Sequence, residues 1–431
     1  MSPNGGKSPN GGNSLPNSRF KLISALGLLA FATLACTATD VPLDSVDAPS
    51  SPQAASPSET VAAPESDAVA STEIPDTPAP FPDDTPLPPT IAAPTVSSPG
   101  ITTLRMLNEL DGWAISESDI LRTTDGGSTW YNVSPPGVTD LGFGIGHTFL
   151  NTSQAWVVVA EASDPFGSGL LYRTDDGGFT WMVYPVPFGG GEMAFIDETH
   201  GWMMVPLGAG AGSMAIAIYT TDDGGETWAQ TYTNDPNLTN AGDSLPLGGI
   251  KNNLTPLDAD TAWVGGVIYS LETFYLYKTT DGGQTWAPQT IPTAPGMQDT
   301  EVAVDIGPIF PTPSDGILPI RFTGETLRTG FYATHDGGVT WEFVTFMPGA
   351  GAVDFVSPSD GFFWTGEQFF VTADGAQTWT SVNPDVLFGD TFIGMDFVNT
   401  HTGWVWTYDE TGQYGLYKTT DGGATWFPME N

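Results

Sequence analysis

The sequence predicts an all-β fold: a seven-bladed β-propeller of four-stranded antiparallel blades over residues 101–431. Three observations predict it. The pattern Thr-x-Asp-x-Gly-x-Thr-Trp recurs with its Asp at Asp125, Asp176, Asp223, Asp281, Asp336, Asp374 and Asp421. Its Trp falls at Trp130, Trp181, Trp228, Trp286, Trp341, Trp379 and Trp426. A small residue followed by a bulky apolar one precedes every copy, as in Gly112-Trp113, Ala155-Trp156, Gly201-Trp202, Ala262-Trp263, Gly316-Ile317, Gly361-Phe362 and Gly403-Trp404. The interval between copies, about 40 to 60 residues, is too irregular for identical solenoid coils and suits one sheet per repeat with loops of varying length.

Each repeat reads as four strands. The first ends before the small-bulky pair and the second starts with it. The third leads into the Asp turn, as in Leu276-Tyr-Lys-Thr-Thr280, and the fourth carries the Trp, as in Trp341-Glu-Phe-Val-Thr345. Glycine after the Asp supplies positive φ, and the carboxylate accepts backbone N–H groups within the turn. Strand, Gly-rich turn and strand make a hairpin, and the Trp is large enough to pack between sheets. The sixth copy has Ala376 in place of the second glycine, which weakens that turn. The first repeat opens on its first strand (101–108) and the seventh closes on its fourth (425–429). Packing of the first blade on the seventh therefore has to close the ring without strand exchange.

The turn resembles the Asp box of bacterial neuraminidase repeat proteins. Paired with the small-bulky element, the repeat is similar to that of the photosystem II assembly/stability factor family, of sortilin-type ectodomains and of xyloglucan-active glucanases. The resemblance covers residues from about 101 to 431 and implies a propeller. A repeat of this kind specifies a scaffold rather than a function.

The first hundred residues read differently. Lys7, Arg19 and Lys21 precede an apolar run from Leu22 to Ala35 that ends in Thr33-Leu-Ala-Cys36. A basic start, about 14 apolar residues and a small residue before the cut describe a secretory signal. We therefore expect a signal peptide at 1–35. Cys36 is the chain's single cysteine, and its place resembles a bacterial lipobox, which implies lipidation at Cys36. Residues 36–100, rich in Pro, Ala, Ser and Thr, bury too little apolar surface to offset the entropy of ordering, so we expect a disordered stalk.

The chain carries 11 basic and 50 acidic residues. Setting aside positions 1–100 leaves 8 and 40, a net charge of −32 for the propeller. Such a charge repels nucleic acid and anionic surfaces. No Gly-rich phosphate loop, zinc spacing or catalytic dyad appears, so we expect no cofactor and no metal.

The repeat absorbs most of the conspicuous residues. Twelve of the 14 Trp occupy the two repeat positions, with Trp364 and Trp406 outside them. Arg122, Arg173, Lys278 and Lys418 all stand three residues before a turn Asp. A sialidase site needs three converging Arg, and the Arg-Ile-Pro motif of that family is absent; Arg105 stands in Leu-Arg-Met. In a four-stranded blade the repeated turns share one face with the first-to-second turns. The second-to-third and inter-repeat loops share the other face and vary widely in length. Variable loops on a uniform scaffold are where binding resides. The candidate ligand-face residues are Lys251, Tyr269, Glu272, Arg321, Arg328, Tyr408 and Tyr414. The expectation is a monomeric cell-surface lipoprotein whose propeller is a non-enzymatic binding or scaffold module for a protein or glycan, attached to the membrane through its N-terminal lipid. The alternatives are a secreted glycan-active hydrolase and a photosystem assembly factor-like protein.

Overall fold

The computed structural model describes residues 93–139, 141, 145–161 and 164–429. The expected signal segment, Cys36 and most of the expected stalk lie outside these. Among the described residues, apart from a 3₁₀ turn at Gly389–Thr391, the regular structure is β. Each repeat forms an antiparallel meander in chain order. In the first, Ile101–Met106, Gly112–Ser116, Ile120–Thr123 and Trp130–Asn132 pair successively. In the seventh, Phe392–Phe397, Gly403–Tyr408, Tyr414–Thr419 and Phe427–Pro428 do the same. The fourth strand begins at the turn Trp or the residue after it.

Two pairings lie outside this plan. Thr95–Val96 pairs with Trp130 and Tyr131 on the outer edge of the first repeat, so the β structure starts inside the stretch read as stalk. The edge strand gains a partner for its open N–H and C=O groups. The second strand of the fourth repeat, Thr261–Leu271, runs on to pair with Glu301–Ala303, the first strand of the fifth, joining two repeats in one sheet.

First strands lie side by side between the second and third, third and fourth, sixth and seventh, and seventh and first repeats. The core is divided among seven apolar clusters, each straddling two consecutive repeats. Trp156, Leu171, Phe195 and Met203 join the second to the third. Trp202, Ile218, Leu254 and Trp286 join the third to the fourth. Leu104, Trp130, Trp404 and Leu416 join the first to the seventh. The seven turn Trp side chains are distributed one to each cluster, where a ring of this size contributes most by burial.

The turn is held by its own Thr and Asp. Thr123 Oγ1 donates to Asp125 Oδ1 (2.9 Å) and accepts from the Gly127 N–H (2.9 Å), while Asp125 Oδ1 accepts from the Thr129 N–H (2.8 Å). The other six turns repeat this set, and in each a Thr hydroxyl also donates to Asp Oδ2. The sixth builds it with Ala376 at φ 66°, its N–H bonded to Thr372 Oγ1 at 3.1 Å. Ala can hold this conformation at a cost of about 1–2 kcal/mol.

The repeat-position cations bind seams together. Arg122, Arg173, Lys278 and Lys418 lie over Trp113, Trp156, Trp263 and Trp404, at 4.8, 5.6, 4.6 and 4.7 Å from the ring centroids. Each then donates to a backbone carbonyl of the next repeat: Thr152, Gly224, Gly338 and Glu109 respectively. A cation stacked on an aromatic face and hydrogen-bonded beyond it is a packing element.

Candidate functional site

The face opposite the repeated turns is uneven. In the first and sixth repeats the second strands are short, Gly112–Ser116 and Gly361–Trp364. In the third and fourth they run to Gly201–Gly210 and Thr261–Leu271. At about 3.3 Å per residue, five more residues raise a hairpin by roughly 15 Å. The hairpins of the third to fifth repeats therefore form a crest on this side.

The crest carries exposed apolar side chains. Tyr269 is 67% and Leu271 56% exposed, and Leu207, Leu247 and Leu327 are exposed nearby in the chain's hairpins and loop. The Tyr269 ring lies against Gly212, at the tip of the third repeat's hairpin. Beside it, Arg321 Nε donates to Asp305 Oδ2 at 2.5 Å and Nη1 to Thr323 Oγ1 at 3.0 Å. Burial lowers the Arg321 pKa, but the Asp305 bond and the charges of Asp305 and Glu301 more than offset it, so the guanidinium stays charged. The tips are strained: Ala211, Glu272 and Asp299 all have positive φ. Glu272 is pinned at 2.8 Å by its N–H to the Thr300 carbonyl and by its Oε1 accepting from the Asp299 N–H. Strain of this kind persists where surrounding structure fixes it and collects at binding sites.

The expected ligand-face residues divide into two groups. Tyr269, Arg321 and Glu272 sit on or beside the crest as described. Arg321 and Arg328 belong to strands, Gly316–Thr323 and Leu327–Thr334, rather than to the loop between them. Arg328 lies over the Phe346 ring (4.0 Å) and donates to the Gly296 carbonyl. Tyr408 and Tyr414 pack with tilted rings, centroids 4.7 Å apart, on the seventh repeat, away from the crest, and Tyr414 donates to Glu117 across the first-to-seventh seam. Burial and then Glu117 push the Tyr414 phenol up to about 12.

Lys251 departs from its expectation. It is 3% exposed, with Nζ donating to the carbonyls of Met214 and Leu247 at 2.8 Å and Gly249 at 3.1 Å, over the Tyr275 ring. Burial lowers its pKa to about 8. This lysine anchors the long loop between the third and fourth repeats, because backbone carbonyls satisfy its donors without a ligand.

Sequence reasoning missed the carboxylates on the first strands. These are Glu192, Asp354 and Asp396, of which Asp354 and Asp396 each accept a backbone N–H from the next repeat, from Phe397 and Met106. Burial pushes Glu192 up to about 8. Burial and then the Asp396 charge push Asp354 up to about 7. Acidic residues are so common here that their sequence positions alone gave no signal; strand register would have found them. Among the described residues, no three His, Cys, Asp or Glu side chains are placed to hold a metal ion. No helix among the described residues is long and apolar enough to cross a membrane.

No family model matches the chain. A xyloglucanase from Paenibacillus sp is 25% identical over 264 residues, 50% of this chain but 24% of that enzyme. Among solved structures, YCF48 bound to a D1 peptide aligns with a TM-score of 0.50 at 18% identity, over 77% of this chain and 95% of that one. The GH74 xyloglucanase from Xanthomonas campestris aligns with a TM-score of 0.52 at 13% identity, over 78% of this chain and 55% of that one. The fold is a β-propeller. The GH74 enzyme from Niastella koreensis gives a TM-score of 0.51 at 15% identity, over 77% of this chain and 54% of that one. The propeller thus spans about half the length of the xyloglucanase structures, and about a quarter of the Paenibacillus enzyme.

Proposed function

We propose that this chain is an exported binding module whose propeller presents the crest of the third to fifth repeats to a neutral glycan. In this reading residues 1–35 direct export, Cys36 carries a lipid anchor, and the segment from 36 to the first strand tethers the propeller at the cell surface. The repeated turn is read as an Asp box with a scaffolding role. The observation that carries the functional reading is the exposed Tyr269 ring beside the Arg321–Asp305 pair. An aromatic face offers apolar area for a sugar ring, and the fixed charged pair offers donors and acceptors for its hydroxyls.

The charge of −32 argues against anionic polysaccharides as ligands. The xyloglucanase alignment supports a glycan over a peptide. Two of the first-strand carboxylates, Asp354 and Asp396, support a non-enzymatic role, because each is committed to a backbone N–H of the next repeat. Affinity electrophoresis of the full chain through xyloglucan, other neutral polysaccharides and an anionic control tests the reading. Retardation by a neutral polysaccharide that Tyr269→Ala abolishes supports it. Indifference to all neutral polysaccharides, or retention undiminished in Tyr269→Ala, overturns it.

A further inference from the structure

We propose that the seam between the sixth and seventh repeats, on the face of the repeated turns, binds a lysine or arginine side chain presented by a partner's peptide segment. The seams closed from within show what such a site requires. In the first and second repeats an aromatic layer forms: Phe149 stacks on Trp113 (5.2 Å) and Phe195 on Trp156 (4.0 Å), with Arg122 and Arg173 near the same indoles. The cation then reaches one of two carbonyls of the next repeat. One belongs to the residue four before that repeat's small-bulky aromatic (Thr152 for Arg122, Glu109 for Lys418). The other belongs to a turn glycine (Gly224 for Arg173, Gly337 and Gly338 for Lys278).

The sixth repeat keeps the layer and lacks the cation. Phe397 stacks on Phe362 at 3.6 Å, and the position three before Asp374 is Val371. Thr220 and Ala333 fill that position in the third and fifth repeats. At the sixth, a groove of about 440 Å³ opens, lined by Phe362 and Val371 on one side and by Thr400 and Gly422 on the other. Thr400 and Gly422 are the counterparts of Thr152 and Gly224. Phe362 has no indole N–H to replace the bond that Trp156 makes to Gly224 and Trp404 to Gly126. Among the described residues, no donor is bonded to the Thr400 or Gly422 carbonyl. Asp374 and Asp421 also line the groove, and hydrogen bonds hold both carboxylates in the charged form, outweighing burial at Asp421. Paired carbonyls, an aromatic edge and two fixed negative charges match a guanidinium or ammonium. The acidic surface favours a basic peptide as its carrier. This site is independent of the crest.

The test is an amide-shift titration of the ¹⁵N-labelled full chain with Gly-Gly-Arg-Gly-Gly, and with the Gln peptide as control, at about 150 mM salt, where charges are screened beyond about 8 Å. Shifts should concentrate at Thr378, His401 and Gly422 and be absent with the Gln peptide. Val371→Arg fills the seam from within and should weaken binding by about tenfold or more. Val339→Arg adds the same charge on the same face, at an exposed turn position, and should leave binding unchanged. If Val371→Arg folds poorly, Phe362→Trp with Val371→Arg rebuilds the pair found in the other seams. Shifts spread over the acidic surface, equal losses in the two arginine variants, or no shifts overturn the proposal.

Discussion

Arg105 of the first repeat and Asp396 of the seventh form an ion pair at 3.0 Å, and the same carboxylate accepts the N–H of Met106 at 2.5 Å. Among the described residues, no strand crosses this seam. Around the pair, Trp404 Nε1 donates to the Gly126 carbonyl (3.0 Å) and Trp406 Nε1 to the Thr102 carbonyl (3.1 Å). The ring is closed by side chains where many rings would use a shared sheet.

Asp396 is therefore expected to matter more than Arg105. Asp396→Ala leaves the buried Met106 N–H without an acceptor, at a cost of about 1–3 kcal/mol. Asp396→Asn keeps an acceptor and should cost less. Arg105 has a 56% exposed side chain, so Arg105→Ala should change stability by under about 1 kcal/mol. Urea unfolding of the full-length variants checks the order; a larger loss for Arg105→Ala than for Asp396→Ala contradicts it.

Stability should fall as pH rises above neutrality. The folded-state pKa values of Asp354 and Glu192 are raised to about 7 and about 8, from 3.8 and 4.5. The folded chain therefore holds more protons than the unfolded chain between about pH 4 and 8, so the slope of stability against pH is negative there. Their contribution is complete below the unfolded values and is lost through the folded ones. The seven turn Asp residues have lowered pKa values and act oppositely, losing their contribution only in stronger acid. Tm should thus peak near pH 5 and drop toward pH 8.5. Asp354→Asn should flatten that drop; a Tm that climbs from pH 5 to 8.5 contradicts the assignment.

Alanine should be tolerated unequally at the second glycine of the turn. At Gly127 an added Cβ meets Leu416 and Trp130 at 3.4 and 3.5 Å, ordinary contact, so Gly127→Ala costs the positive-φ penalty of about 1–2 kcal/mol. At Gly338 it would meet Trp263 Cζ2 at 2.4 Å, and Trp263 is fully buried. Gly338→Ala should cost about 1–3 kcal/mol more through overpacking. Thermal melts that rank the two variants equally would contradict this.

What repeats in the sequence was legible, because a side chain that recurs at one strand position reports the blade and not the ligand. The turn Asp and Trp, the small-bulky pair and the third-strand cations all stand where the pattern puts them. Residues whose role depends on loop conformation were not legible. Lys251 reads as a loose cation and is bonded to backbone carbonyls that the long loop before it folds back to provide. Asp354 and Asp396 are 42 residues apart and meet only because adjacent first strands converge on the axis. The crest depends on hairpin length, which the strand-forming residues past Gly201 and Thr261 encode but no motif marks.

The most direct test of the central claim is a hydrogen-exchange footprint of the full chain with a bound neutral polysaccharide. The expected result is slowed exchange in the hairpin tips around residues 207–213, 269–273 and 321–328, with the seven repeated turns unchanged. Slowed exchange at the repeated turns, with the crest unaffected, would contradict the claim that the working face lies opposite them.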